Sequence, residues 1–325
     1  MNQQQTSRPS GQHLPSSDTE TSSHAAPHLV NTLEHRRFME FCDACRRYRY
    51  IGLCYGIPGV GKTLSARSYS RWDVVRTIRP LREVSLEGPA LDTVFYTPSV
   101  VNTPSSIGSE IGRHRQTLEL LARRPLCLER EDRLESLRKR DWEHHQSMAY
   151  EHDWMREPIP ELTPTFGEVA KEYSEREARI PDPTSLILVD EADRLRMASL
   201  EQVRAIFDAG RVGLILIGMP GLEKRLARYP QFYSRIGFVH EFRPLGTIEI
   251  RRLLAQRWTP AGVSLPEQPW SEETVAAIIR ITRGNFRLLN RLLTQMERIL
   301  EINALQEVTK AVVEAARESL VIGQA

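Results

Sequence analysis

Apolar residues fall into two arrangements along this chain. Short, nearly unbroken runs stand at 50–55 (YIGLCY), 185–190 (SLILVD) and 212–217 (VGLILI), the last closed by Gly218. Runs of this length bounded by turn formers predict strands buried on both faces of a parallel sheet. A weaker candidate stands at 93–97 (TVFYT). Between the runs, apolar positions recur at helical spacing. A helix is predicted over 33–47, with Phe38, Phe41, Cys42 and Cys45 on one face and Asn31 or Thr32 as its cap. Others are predicted over 62–72, from Pro104 or Ser105 to about 121, and over 198–209. After Pro244 the strand pattern stops, and 247–258, 271–282, 286–301 and 306–320 all carry helical periodicity. Ser271 caps the second of these, with Glu272 and Glu273 in its first turn. The expectation is an α/β domain over 28–244, its parallel sheet covered by helices, followed by a small all-helical domain over 245–325.

Two segments stand apart. Residues 1–27 are rich in Gln, Ser, Thr, Pro and His and hold almost no large apolar side chains, so a disordered tail is expected. Residues 123–180 form a charged helical insertion in which both signs alternate, as on a solvated, ion-paired face. The 325 residues carry a formal net charge of +2, which gives the whole molecule no polyanion-attracting field. Cys42 and Cys45 form a C-x-x-C pair, yet no second pair or histidine couple follows to complete a zinc tetrad, and they read as packed thiols. No disulfide framework, signal peptide or long apolar span is visible, so a cytoplasmic protein is expected, with no membrane association.

The strongest chemical signal is Gly56-Ile-Pro-Gly-Val-Gly-Lys62-Thr63, which satisfies G-x-x-x-x-G-K-[ST] between a predicted strand and a predicted helix. Glycines at such spacing let main-chain amides turn toward phosphate oxygens, and the helix start adds its positive dipole end. Gly56, Pro58, Gly59, Val60, Gly61, Lys62, Thr63 and Leu64 are therefore the expected nucleotide contacts. Lys62 is expected to reach the β- and γ-phosphates, and the Thr63 hydroxyl to ligate Mg²⁺. The run 186–191 (LILVDE) ends in two acids. Asp190, at the tip of a strand expected to lie beside the phosphate-loop strand, suits the metal, and Glu191 suits polarisation of an attacking water. ATP and Mg²⁺ are the expected ligands, and ATP hydrolysis the expected reaction.

These residues resemble the AAA+ class of P-loop ATPases. Within it the chain is similar to the MuB/TnsC/TniB-type transposition ATPases and their ExeA-like relatives, on 50–65 (YIGLCYGIPGVGKTLS), 186–193 (LILVDEAD), 214–222 (LILIGMPGL) and 234–238 (SRIGF). The resemblance implies that the helical domain is a lid. It further implies that Arg235 is an arginine finger offered to a neighbouring subunit, with Arg225 and Arg228 as rivals, and that Arg287 is a second sensor of the phosphates. The family's polar sensor after the fourth strand would fall at Gly218-Met219, where this chain departs from the pattern. By the same resemblance the protein is expected to form a homo-oligomeric ring or filament on double-stranded DNA and to recruit or activate a transposase. Basic segments at 76–82 and 113–124 are candidate DNA contacts, each also readable as a solvated face. A secretion- or remodelling-linked ATPase, a helicase loader and a slow nucleotide switch share the same core.

Overall fold

The computed structural model describes residues 30–77, 91–151 and 162–320. The predicted tail over 1–27, positions 78–82 of the first basic segment and residues 152–161 of the insertion lie outside the described residues. Five parallel strands form one sheet: β1 (Ile51–Tyr55), β2 (Thr93–Tyr96), β3 (Leu186–Val189), β4 (Gly213–Gly218) and β5 (Ile236–Glu241), in the order β2-β3-β4-β1-β5. β2, β3 and β4 are buried along their whole length and β1 along all but its last residue, because helices cover both faces. β5 falls in a stretch before Pro244 where the apolar pattern had signalled no strand. As an edge strand it alternates half-buried and exposed positions and so never forms an apolar run.

α1 (Leu33–Tyr48) is capped by Thr32 and buries the anticipated face of Phe38, Phe41, Cys42 and Cys45 against β1, β4 and β5. Both thiols of the C-x-x-C pair are packed there, and burial pushes each above the usual thiol range, Cys45 to about 12. The helix expected over 62–72 is shorter than predicted. α2 (Lys62–Ser70) ends where Arg71 turns left-handed, and Trp72 opens a separate α3 (Trp72–Thr77). α4 (Pro104–Glu151) is longer, continuing through Pro125 where the expected helix stopped at about 121. Its 48 residues span about 72 Å. The extension is held by α5 (Phe166–Ala178) through a small core of Leu137, Val169 and Tyr173. Arg130–Glu177 and Arg176–Glu129 pairs, each at 3.3 Å, bridge the two helices, so the charged stretch is ion-paired as its mixed signs predict. In the 113–124 segment, Arg115 is paired with Asp182 and Arg124 is buried, which leaves less free basic surface than the sequence implied.

A short helical turn (Ala192–Arg194) follows β3, α6 (Met197–Ala209) connects to β4, and α7 (Leu222–Ala227) and α8 (Pro230–Tyr233) lead into β5. Beyond it, α9 (Thr247–Ala255), α10 (Glu272–Thr282), α11 (Phe286–Ile302) and α12 (Lys310–Glu318) build a second hydrophobic core on Ile278, Leu292, Leu293, Met296 and Val313. Each such fully buried aliphatic side chain contributes about 1.5–3 kcal/mol, enough for α10, α11 and α12 to pack into a cluster separate from that around the sheet. The first and last of these helices fall short of their predicted ends, at Ala255 and from Lys310.

Candidate functional site

The chemistry collects at the carboxyl ends of the strands, where ligands bind in open α/β sheets. The loop after β1 turns through left-handed glycines, Gly59 at φ 85° and Gly61 at φ 113°, and delivers the chain into α2 at Lys62. Lys62 Nζ donates to the carbonyls of Gly56 and Ile57 of its own loop, the latter at 3.0 Å. Burial holds its pKa below the ordinary lysine value. Thr63, one residue on, donates its hydroxyl to Asp190 Oδ2 at 2.7 Å.

That contact corrects one expectation. β3 does not lie beside β1, because β4 is inserted between them. Asp190 still reaches Thr63, and its other carboxylate oxygen accepts the Glu191 amide at 2.9 Å. At 3% exposure Asp190 is among the most buried acids of the chain. Burial raises its pKa, against the bonds from Thr63 and Glu191 that lower it. A hydroxyl and a desolvated carboxylate in contact are hard oxygen donors suited to Mg²⁺, and a cation there would relieve the buried charge. Glu191 takes a left-handed φ of 50°, a conformation that costs a non-glycine residue energy and clusters at functional sites. Its carboxylate is paired with Arg194, whose Nη1 also donates to Pro98 O at 3.1 Å.

The helical domain closes the other side. Asn285 Nδ2 donates to Pro58 O at 2.8 Å, and the Arg287 amide donates to Gly59 O at 2.9 Å. Between the loop and the helical domain lies a cleft of about 760 Å³, within the range of small-molecule sites. Of the residues singled out in the sequence, Pro58, Gly59, Gly61, Lys62, Thr63, Leu64, Asp190, Glu191 and Arg287 all line it. The Val60 side chain is buried in the core, and the Gly56 carbonyl accepts from Lys62 Nζ. At the β4 tip, Gly218 and Met219 do reach the cleft but bring no polar side chain. Asp193 supplies one, accepting the Met219 amide at 2.7 Å. Sequence reasoning missed Asp193, Arg194, Phe286 and Asn290 on the cleft wall. For Asp193 and Arg194, adjacency to the acidic pair was the available signal.

Arg235 lies elsewhere. It precedes β5, and its carbonyl accepts the amide of Ile51, the first residue of β1. The five residues of β1 therefore separate it from the phosphate loop by about 16 Å, farther than its own side chain extends. Its guanidinium is held by Asp208 at 2.7 Å. Of the two rivals, Arg225 is bound to the carbonyls of Asp193 and Leu195 in its own chain.

A family model described as an AAA domain matches residues 45–226. A "potential ATP-binding protein" of Staphylococcus aureus is 38% identical over 298 residues, covering 91% of this chain and 97% of that protein. Among solved structures, the Cdc6p protein of Pyrobaculum aerophilum aligns with a TM-score of 0.55 at 16% identity, over 94% of this chain and 71% of that one. The Aeropyrum pernix ORC2 protein, solved in ADPNP-ADP complexes, aligns with a TM-score of 0.52 at 15% identity, over 93% and 71%. At such identities the two structures bear on the fold alone. Fold, phosphate loop and sequence similarity agree, and the chain belongs to the AAA domain family, with the parallel five-stranded sheet of the P-loop NTPases.

Proposed function

We propose that this protein binds ATP with Mg²⁺ and hydrolyses it, and that the nucleotide cycle controls a homo-oligomer on duplex DNA that regulates transposition by engaging a transposase. The observation that carries the hydrolytic reading is the contact of Thr63 with the buried Asp190, one residue after Lys62 and one before Glu191. The loop amides and Lys62 would grip the phosphates, Lys62 exchanging the carbonyls of Gly56 and Ile57 for phosphate oxygens. Thr63 and Asp190 would hold Mg²⁺, which when bound neutralises charge on the phosphates. Glu191, once released from Arg194, accepts a proton from the water whose oxygen attacks the terminal phosphorus, and ADP departs. Arg287 enters from the lid.

The assembly rests on the resemblance that makes Arg235 an arginine finger. A guanidinium at the far end of the sheet has no access to its own nucleotide, so a role in catalysis requires a neighbouring subunit. The DNA and transposase parts rest on the similarity of the phosphate loop, acidic pair and 214–222 segment to the MuB/TnsC/TniB-type ATPases. Contacts to duplex phosphates would be largely sequence-independent and weaken steeply with salt.

The test is electron microscopy of the parent, Lys62→Ala and Glu191→Gln with duplex DNA and ATP. Glu191→Gln is expected to accumulate DNA-bound rings or filaments, the parent to form them transiently and Lys62→Ala to form none. Assemblies that ignore both substitutions, or ATP turnover unchanged in Lys62→Ala, would refute the reading.

A further inference from the structure

At the end of the sheet opposite the cleft, the link from α1 into β1 reads Arg46-Arg47-Tyr48-Arg49-Tyr50. Residues 47–50 are all exposed, Tyr48 at 56% and Tyr50 at 47%. Their rings form a platform. Tyr48 and Tyr50 lie 6.5 Å apart with planes inclined by 28°, and Phe238 of the edge strand β5 meets them at 6.0 and 5.7 Å. Gly237 makes room for this arrangement, since a Cβ there would stand 2.5 Å from Tyr50 Cγ.

Cationic groups frame the rings. The Arg47 guanidinium lies over Tyr48 at 5.6 Å, and Arg49 caps α1 in a left-handed turn at φ 54°. Exposed Arg211 precedes β4, whose Leu214 amide donates to Tyr50 O at 3.3 Å. Nearby carboxylates are already engaged, Asp92 by Arg46 at 3.2 Å and Asp208 by Arg235 at 2.7 Å. Among the described residues, Arg47, Arg49 and Arg211 have no carboxylate partner.

We infer that this face binds single-stranded nucleic acid, with unpaired bases on Tyr48 and Tyr50 and phosphates against Arg47, Arg49 and Arg211. Phosphates alone would need only the arginines. Two solvent-facing rings between them match a ligand that alternates π faces with negative charge, and bases locked in a duplex offer no such faces. The charge is complementary to a polyanion, whereas a protein surface would have to bring several carboxylates to neutralise three guanidiniums that have no carboxylate partner among the described residues. The site lies at the opposite end of the sheet from the nucleotide cleft, on the side of Arg235, so it is tested without ATP, where the proposed assembly does not form.

The experiment is fluorescence anisotropy of the full chain, without ATP, on three labelled probes: a short thymidine oligonucleotide, an abasic strand of the same length and a duplex. Tyr48→Ala and Tyr50→Ala are each expected to weaken thymidine binding by about fivefold or more, since a stacked base is worth about five- to 150-fold. Binding of the abasic strand is expected to stay within about twofold of the parent, and Tyr→Phe at either position to restore the thymidine affinity. Arg47→Ala and Arg49→Ala are expected to weaken both strands and each to flatten the salt dependence by about 0.7 in log–log slope. The tyrosines are exposed, so the variants are expected to melt with the parent. Equal binding of thymidine and abasic strands, indifference to the tyrosine substitutions, or no single-strand binding by the parent would each overturn the inference. Failure of the ATP-dependent duplex assemblies formed by Glu191→Gln would count against the proposed function only.

Discussion

Asn285 joins the helical domain to the phosphate loop with a single side-chain amide. Its Oδ1 accepts the Leu288 amide at 3.1 Å and so caps α11, while its Nδ2 donates to Pro58 O at 2.8 Å. The fit is close, since a Cβ on Gly59 would stand 2.5 Å from Asn285 Oδ1. Asn285→Ala loses both bonds, about 1 kcal/mol for the cap and about 1 kcal/mol for the latch. Asn285→Ser keeps a capping oxygen and loses only the latch, about 1 kcal/mol. Thermal melting without nucleotide is therefore expected to rank parent above Ser above Ala. Nucleotide binding should rank them differently. Of the two Asn285 bonds, only the latch reaches the phosphate loop, beside the bond from the Arg287 amide to Gly59 O, so both variants should bind a non-hydrolysable ATP analogue up to about fivefold more weakly by calorimetry. A Ser variant that binds as tightly as the parent, beside an Ala variant that binds weakly, would refute the latch and leave Asn285 as a helix cap alone.

Three further substitutions probe the cleft and the assembly. Asp190 is desolvated and its carboxyl lies above the usual range, so the stability it contributes is present below that range and lost as pH rises through the raised value. Asp190→Asn can accept the Glu191 amide and donate to Thr63 without a charge to bury. It is expected to melt above the nucleotide-free parent at neutral pH, with the gap closing toward about pH 4, and to lose all stabilisation by Mg-ATP; a lower melting temperature at neutral pH would contradict this. Arg194→Ala frees Glu191 from a half-exposed ion pair worth about 0–1 kcal/mol, so basal ATP turnover is expected to rise, by no more than about fivefold. A fall in turnover would instead place Arg194 on the phosphates, since it also lines the cleft. Arg235→Ala is expected to lose turnover alone and regain it when mixed with Lys62→Ala subunits, which lend an arginine but have no working cleft; mixtures as inactive as their parts would exclude a finger acting between subunits.

What the sequence disclosed follows from how local each feature is. The phosphate loop is one turn, and the residues that shape it are neighbours in the chain, so Gly59, Gly61, Lys62 and Thr63 were legible as a set. β1, β3 and β4 were legible because burial on both faces demands unbroken apolar runs. β5 has a single neighbour, carries Gly237, His240 and Glu241, and alternates in burial, so nothing in its composition distinguished it from a loop. Strand order left no trace at all. Nothing in 186–190 or 212–218 tells which run lies beside β1, and the reading that put Asp190 on a neighbouring strand is overturned by β4 between them. The lid shows the same division. Its amphipathic helices could be read one at a time, but the bond from Asn285 to Pro58 spans 227 positions and exists only because two separately packed cores meet there. The chemistry that a single turn can supply was therefore written plainly in the chain, whereas the chemistry of closing that turn depends on packing between distant segments. Substitutions at Lys62 and at Asn285 should accordingly fail in different ways, the first by losing the ligand's grip and the second by losing the wall that keeps it.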